Sequence, residues 1–147
     1  IGSSLGGFVA VQAALRHAES TSHPVARLVL LAPALDFSGN RTRDLGDRGL
    51  DEWQSSSILN VFHYGYGRVM PVHYELYTDA CGYDCVNAKL KMPIQIFQGR
   101  RDTSVDPQSV EQWAASRPNV ELHMLHEDHQ LGGSLEYIWR SIERQLK

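Results

Sequence analysis

Apolar residues fall into two kinds of pattern along this chain, one with helical spacing and one alternating or continuous. Phe8, Val11, Leu15 and Ala18 recur at helical spacing, with Gln12 and Arg16 on the opposite side, and predict an amphipathic helix over residues 5–18. Ser, Thr, Ser and Pro within residues 20–24 are stop and turn signals, so the helix should end near Glu19. Residues 26–32, Ala-Arg-Leu-Val-Leu-Leu-Ala, form a short apolar run closed by Pro33, as expected of a strand buried on both faces of a parallel sheet. A second strand is expected at residues 92–97, β-branched and aromatic in content and stopped by Gly99. A helix follows, with Asp106 as N-cap, Pro107 in its first position and Val110, Trp113 and Ala114 turned inward. Pro118 and Asn119 break it. Residues 120–125 alternate as a third strand, and residues 134–146 put Leu135, Ile138, Trp139, Ile142 and Leu146 on one face of a closing helix.

Residues 36–91 break the regular order. They are rich in Gly, Asp, Arg, Tyr and His, and only Trp53, Ile58, Leu59, Phe62, Tyr66 and Val69 hint at one or two short helices, so this segment reads as an insertion. Outside it, strands and helices alternate as they do around a parallel sheet with helices on its faces, which makes the fold class α/β. No internal repeat or low-complexity tract interrupts that order.

Composition narrows the function classes. The 147 residues suffice for one core, and 42% apolar with 21% charged residues is ordinary globular composition. A formal charge of −3 supplies no electrostatic footprint for nucleic acid. The densest apolar stretch, residues 26–35, is about half the roughly 18 to 20 residues that span a bilayer, and it contains Arg27 and Pro33. Cys81 and Cys85 are too few for a disulfide scaffold and lack a second ligand pair for zinc, so two thiols in a reducing, cytoplasmic compartment are expected. Residue 1 is Ile, from which we expect a longer parent whose start lies upstream.

The sharpest chemical signal precedes the first helix. Gly2-Ser3-Ser4-Leu5-Gly6-Gly7 matches G-x-S-x-G with Ser4 at its centre. A nucleophile in a strained strand-to-helix turn projects its hydroxyl clear of the backbone, and Gly2 and Gly6 would permit so tight a turn. The Leu5 N–H, next after the serine at a helix start, would point at a developing oxyanion. A phosphate-binding loop and a plain tight turn compete with this reading, although neither a P-loop ending nor dinucleotide spacing is present.

An activated serine needs a base, and the base needs an orienting acid. Asp102, in Gly99-Arg100-Arg101-Asp102, lies just past the second strand, and His129, in Glu127-Asp128-His129-Gln130, just past the third. Strand ends of that kind are where the working groups of an open parallel sheet gather. The order Ser4, Asp102, His129 is the order expected after a nucleophile elbow. Asp106 competes with Asp102 but is occupied as a helix cap, and His126 competes with His129 but sits directly on the strand end. His17, His23, His63, His73 and His123 read as surface or structural residues. The His126–His129 spacing is not that of a helical metal site, so neither metal nor cofactor is expected.

These segments together resemble the C-terminal half of an α/β-hydrolase: residues 2–8, the strand 28–33, the Gly99-to-Asp102 turn with Val105, Asp106 and Pro107, and Asp128-His129. The tail, Asp128-His129-Gln130-Leu131 followed by Ser134-Leu135 and Ile138-Trp139, is similar to that of small bacterial YqiA-like serine esterases. The resemblance implies Ser4 as nucleophile, His129 as general base and then acid, Asp102 as orienting carboxylate and Leu5 as a backbone oxyanion donor. It also implies a lid at 36–91 and a small acyl ester or thioester as substrate. In that fold several strands and a second oxyanion donor precede the elbow, whereas here only Ile1 does. The chain is therefore expected to be a partial domain, exposing an apolar sheet edge and short of one donor worth about 10² to 10³ in rate. An acyltransferase or a peptidase of the prolyl oligopeptidase type would share the same triad. A non-catalytic module is the third alternative, with Trp53, Tyr64, Tyr66, Tyr74 and Tyr77 lining a partner surface or packing as a local core.

Overall fold

The computed structural model describes residues 1–20, 25–63 and 65–146, except for the side chains of Glu19 and Ser20. The stop signal at 21–24, with His23, and Tyr64 lie outside the described residues. Two compact units are present, one formed by Ile1–Leu35 with Cys85–Lys147 and the other by Asp36–Asp84.

The first unit is built on a parallel four-stranded sheet in the order β1 (Gly2–Ser3), β2 (Leu28–Leu31), β5 (Ile94–Gly99), β6 (Val120–Leu125). Its helices are α1 (Leu5–Ser20), α4 (Pro107–Ala115) and α5 (Leu135–Leu146), the last preceded by a 3₁₀ turn at Gly132–Ser134. Every residue of β5 is buried. That is the burial of a central strand covered on both faces, and the apolar runs of β2 and β5 follow from it. Register puts Leu30 beside Ile96 on one face and Val29 beside Gln95 on the other. The face bearing Val29 and Phe97 packs with Leu131 and with Ile138 and Ile142 of α5. Leu28, Leu30, Ile94 and Ile96 point to the opposite face and are as deeply buried, with α1 packed along β1 and β2 and α4 along β5 and β6. Asp106 caps α4 by accepting from the Gln108 N–H at 3.0 Å, with Pro107 in the first turn.

Two helix faces differ from the periodic expectation. In α1 the buried residues are Phe8, Val11 and Ala14, with Gly7, while Ala18 faces water. A Cβ on Gly7 would lie 2.6 Å from the Pro33 Cβ, so it is the small residues that let this helix approach the chain leaving β2. In α5, Ile138 and Ile142 are buried, but Leu135, Trp139 and Leu146 are 57%, 56% and 68% exposed. The buried face is turned toward Ser141, whose hydroxyl accepts from Gln95 Nε2 at 2.9 Å in the core. That bond pairs the amino end of a buried carboxamide, and leaving such a donor unpaired costs about 1–3 kcal/mol.

The second unit holds α2 (Phe37–Ser56), interrupted at Gly46 with φ +63°, an antiparallel hairpin of β3 (Ile58–His63) and β4 (Arg68–His73), and α3 (Tyr74–Ala80). The two short helices expected around Trp53 to Val69 are corrected here: Trp53 lies in the last turn of α2, while Ile58, Leu59, Phe62 and Val69 lie in the hairpin. Trp53 is 2% exposed, packs against Tyr74 and Tyr77 with centroids 5.5 and 5.8 Å away, and donates its indole N–H to the Val72 carbonyl at 3.0 Å. These aromatics form a local core, whereas Phe62, Tyr66 and Val69 are exposed. Residues 85–91, expected within the insertion, belong to the first unit. Cys85 is buried there and accepts the Trp113 indole N–H through its carbonyl at 2.9 Å. Among the described residues no helix is long and apolar enough to cross a membrane.

Candidate active site

The turn from β1 into α1 is held by backbone bonds on both sides of Ser4. Its N–H donates to the Leu31 carbonyl at 2.9 Å, and its own carbonyl accepts from Gly7 at 2.9 Å and Ala34 at 3.0 Å. Ser4 itself adopts φ +53°, a left-handed conformation that non-glycine residues occupy at a cost of about 1–3 kcal/mol and that clusters at functional sites. Gly2 is required sterically, since a Cβ there would sit 2.3 Å from the Gly6 carbonyl oxygen. The equivalent need at Gly6 is absent within this structure, where a Cβ would meet open space; the close approach falls instead on Gly7. Leu5, the first residue of α1, carries one of the amide N–H groups that have no carbonyl one turn back.

Asp102 follows β5 in a tight turn, its side chain fully removed from solvent. Oδ1 accepts from the backbone N–H groups of Ser104 at 2.8 Å and Val105 at 2.9 Å. Oδ2 accepts from His129 Nδ1 at 2.8 Å and from Gln98 Nε2 at 2.9 Å. Four donors fill the acceptor capacity of a carboxylate. Burial alone would push this carboxyl up, but the bonds from His129, Val105, Gln98 and Ser104 outweigh it and hold Asp102 below the usual aspartate value.

The loop after β6 carries His129 onto this turn. The Arg101 N–H donates to the Glu127 carbonyl at 2.9 Å, and the Arg101 guanidinium donates to the His126 carbonyl at 2.8 Å. Gly99 allows the approach, because a Cβ there would come within 2.4 Å of the Asp128 oxygen and 2.5 Å of the Glu127 oxygen. Beyond the histidine, Leu131 is anchored in the core at φ +57°, and Ser134 Oγ donates to Glu127 Oε1 at 2.9 Å. The loop is pinned at both ends. His129 Nε2 then lies 2.9 Å from Ser4 Oγ. With Nδ1–H committed to a carboxylate, the neutral ring has its lone pair on Nε2, so the Ser4 hydroxyl is the donor in that contact.

Ser4, His129 and Asp102 thus form one continuous chain of hydrogen bonds, with the Leu5 amide beside it in sequence. Asp106 is spent on capping α4, and His126 is exposed, with its carbonyl accepting from the Arg101 guanidinium. Among the described residues no three His, Cys, Asp or Glu side chains are grouped to hold a metal ion. Gln98 was not singled out by any motif. Its signal was a polar residue on a strand whose other residues on that face are Ile94 and Ile96, four positions before the aspartate.

The sequence matches, over residues 1–145, the model of an uncharacterised protein family, UPF0227. No curated protein matches it. Among solved structures, a putative hydrolase from Agrobacterium vitis superposes with a TM-score of 0.83 at 24% identity, over 99% of this chain and 60% of that one. Mouse alpha/beta hydrolase domain-containing protein 10 gives 0.80 at 20% identity over 99% and 60%. Est1E from Butyrivibrio proteoclasticus gives 0.70 at 19% over 99% and 59%. The fold is that of the α/β-hydrolases, and the chain spans about 60% of the length of these relatives.

Proposed function

The chain belongs to the UPF0227 family, and from the geometry around Ser4 we propose that it is the acid–base and nucleophile portion of a serine hydrolase cleaving carboxylic esters or thioesters. The observation that carries this reading is the unbroken chain from the Ser4 hydroxyl through His129 to the buried Asp102 carboxylate.

In the proposed reaction His129 Nε2 takes the hydroxyl proton as Ser4 Oγ attacks the acyl carbon. Negative charge collects on the former carbonyl oxygen, where the Leu5 N–H at the start of α1 receives it. The imidazolium, stabilised by Asp102 at Nδ1, gives its proton to the departing alkoxide or thiolate. An acyl group remains on Ser4. Water then loses a proton to His129 and attacks the acyl carbon, and the imidazolium returns that proton to Ser4 Oγ as the acid leaves.

We read residues 1–147 as the part of a longer hydrolase domain that runs from the nucleophile turn to the closing helix, with a second oxyanion donor supplied by chain outside it. The 60% coverage of the solved relatives supports this. Est1E has been solved with ferulic acid bound, which directs the first screen to carboxylic esters. p-Nitrophenyl esters, acyl-CoA thioesters and short peptides separate esterase, thioesterase and peptidase, and added alcohol acceptors reveal acyl transfer. A fluorophosphonate probe should label the protein at Ser4, and labelling that persists in Ser4→Ala would sink the assignment.

A further inference from the structure

We propose that Gln98 is a positioning residue for the acid–base pair, its carboxamide setting the rotation of the Asp102 carboxylate at which Oδ2 meets His129 Nδ1. This inference rests on the hydrolase reading for its consequence in turnover, and on geometry for the rest.

Gln98 has no exposed surface and occupies the face of β5 that otherwise carries Ile94 and Ile96. An aliphatic side chain would continue that face with no polar group to satisfy. Nor does the carboxamide serve its own balance, since among the described residues Oε1 is buried without a hydrogen-bond partner. Only the amino end is used, and it points to the site. One N–H is directed at Asp102 Oδ2, 2.9 Å away, and the other at the Gly99 carbonyl, 3.2 Å away. Both partners are acceptors, which fixes the amide orientation, because its oxygen in that place would face two oxygens.

Three of the four donors to Asp102 then come from β5 and from the turn that follows it: Ser104 N, Val105 N and Gln98 Nε2. The first two occupy Oδ1. The third takes one lone pair of Oδ2 and leaves the other, whose direction is thereby set, for His129. Gln98 is also neutral, so it orients the carboxylate without cancelling the charge that would stabilise an imidazolium; a lysine or arginine there would do both.

The test replaces Gln98 by Met, which keeps the length and removes the donor. The proton shared between His129 Nδ1 and Asp102 is followed by NMR as a far-downfield resonance, and kcat and KM are measured on an ester found by the screen above. We expect the resonance to shift and broaden, and kcat to fall about 10-fold, as for the loss of one hydrogen bond to a charged group, with KM unchanged. An unchanged resonance overturns the proposal, and so does an altered resonance with undiminished kcat. Should Gln98→Met fail to fold, Gln98→Asn, whose amide is one methylene too short to reach Oδ2, takes the same measurements with the same expectations. If the unsubstituted protein shows no Ser4-dependent turnover, the hydrolase reading fails, and the resonance alone still decides whether Gln98 orients Asp102.

Discussion

His129 Nε2 and Ser4 Oγ are 2.9 Å apart although they lie 125 positions apart in the chain. The contact exists because β1 and β6 are parallel strands of one sheet, each ending on the same side, and because Gly99 lets the loop after β6 settle onto the turn after β5.

The strain at Ser4 has a measurable signature. Alanine is ordinarily the better residue by about 0.5–1 kcal/mol over glycine in regular structure, but at φ +53° the preference should invert. Ser4→Gly is expected to be at least as stable as Ser4→Ala in urea denaturation, while both lose hydrolysis by about 10³-fold or more. A clearly less stable glycine variant would argue against a strained turn.

Asp102→Asn should reduce kcat by about 10⁴-fold, because an amide in that place donates to the ring and traps the wrong tautomer. Asp106→Ala is the matching control. It removes the cap of α4, costing about 1 kcal/mol of stability, and should leave kcat/KM unaltered. Thermal melts and steady-state kinetics on the two variants separate the acid from the cap.

The depressed Asp102 carboxyl also predicts an acid limb of stability. Between the lowered folded value and the ordinary aspartate value of about 3.9, the unfolded chain binds more protons than the folded one, so stability rises with pH there. The contribution is complete above the ordinary value and is lost as pH falls through the folded value. Urea unfolding between about pH 5 and 2 should show a shallower acid loss in Asp102→Asn than in the unsubstituted protein. Equal slopes would contradict this.

Gly99→Ala forces a Cβ against two backbone oxygens of the histidine loop. Overpacking of that kind costs about 1–3 kcal/mol, and the loop must move to accommodate it. Both stability and kcat should fall, with substrate KM less affected, whereas Gly6→Ala, whose Cβ meets open space within α1, should leave the stability of this unit unchanged or raise it by up to about 1 kcal/mol. Equal effects at the two glycines would show that the loop is not seated as described.

Much of the first unit was legible without coordinates. Asp106 and Pro107 announce the start of α4 locally, and the apolar runs around Leu30 and Ile96 identify buried parallel strands, because burial on both faces leaves no polar alternation to preserve. The hairpin was not legible. Ile58, Phe62 and Val69 are apolar yet exposed, and Gly46 breaks α2 in its middle, so neither helical nor strand period dominates residues 36–91.

By itself the sequence determined the order of elements, the G-x-S-x-G turn at Ser4, and the placing of Asp102 and His129 immediately after strands, since all of these are written in neighbouring residues. Tertiary structure alone decided which faces of α1 and α5 are buried, why Gly7 and Gly99 must be glycine, that Gln98 reaches Asp102, and that Ser4 meets His129. Periodicity reports that a helix has an apolar side, but not how near another chain will come. Close approach and hydrogen-bond partnership depend on residues remote in sequence, which only the packed sheet brings within reach.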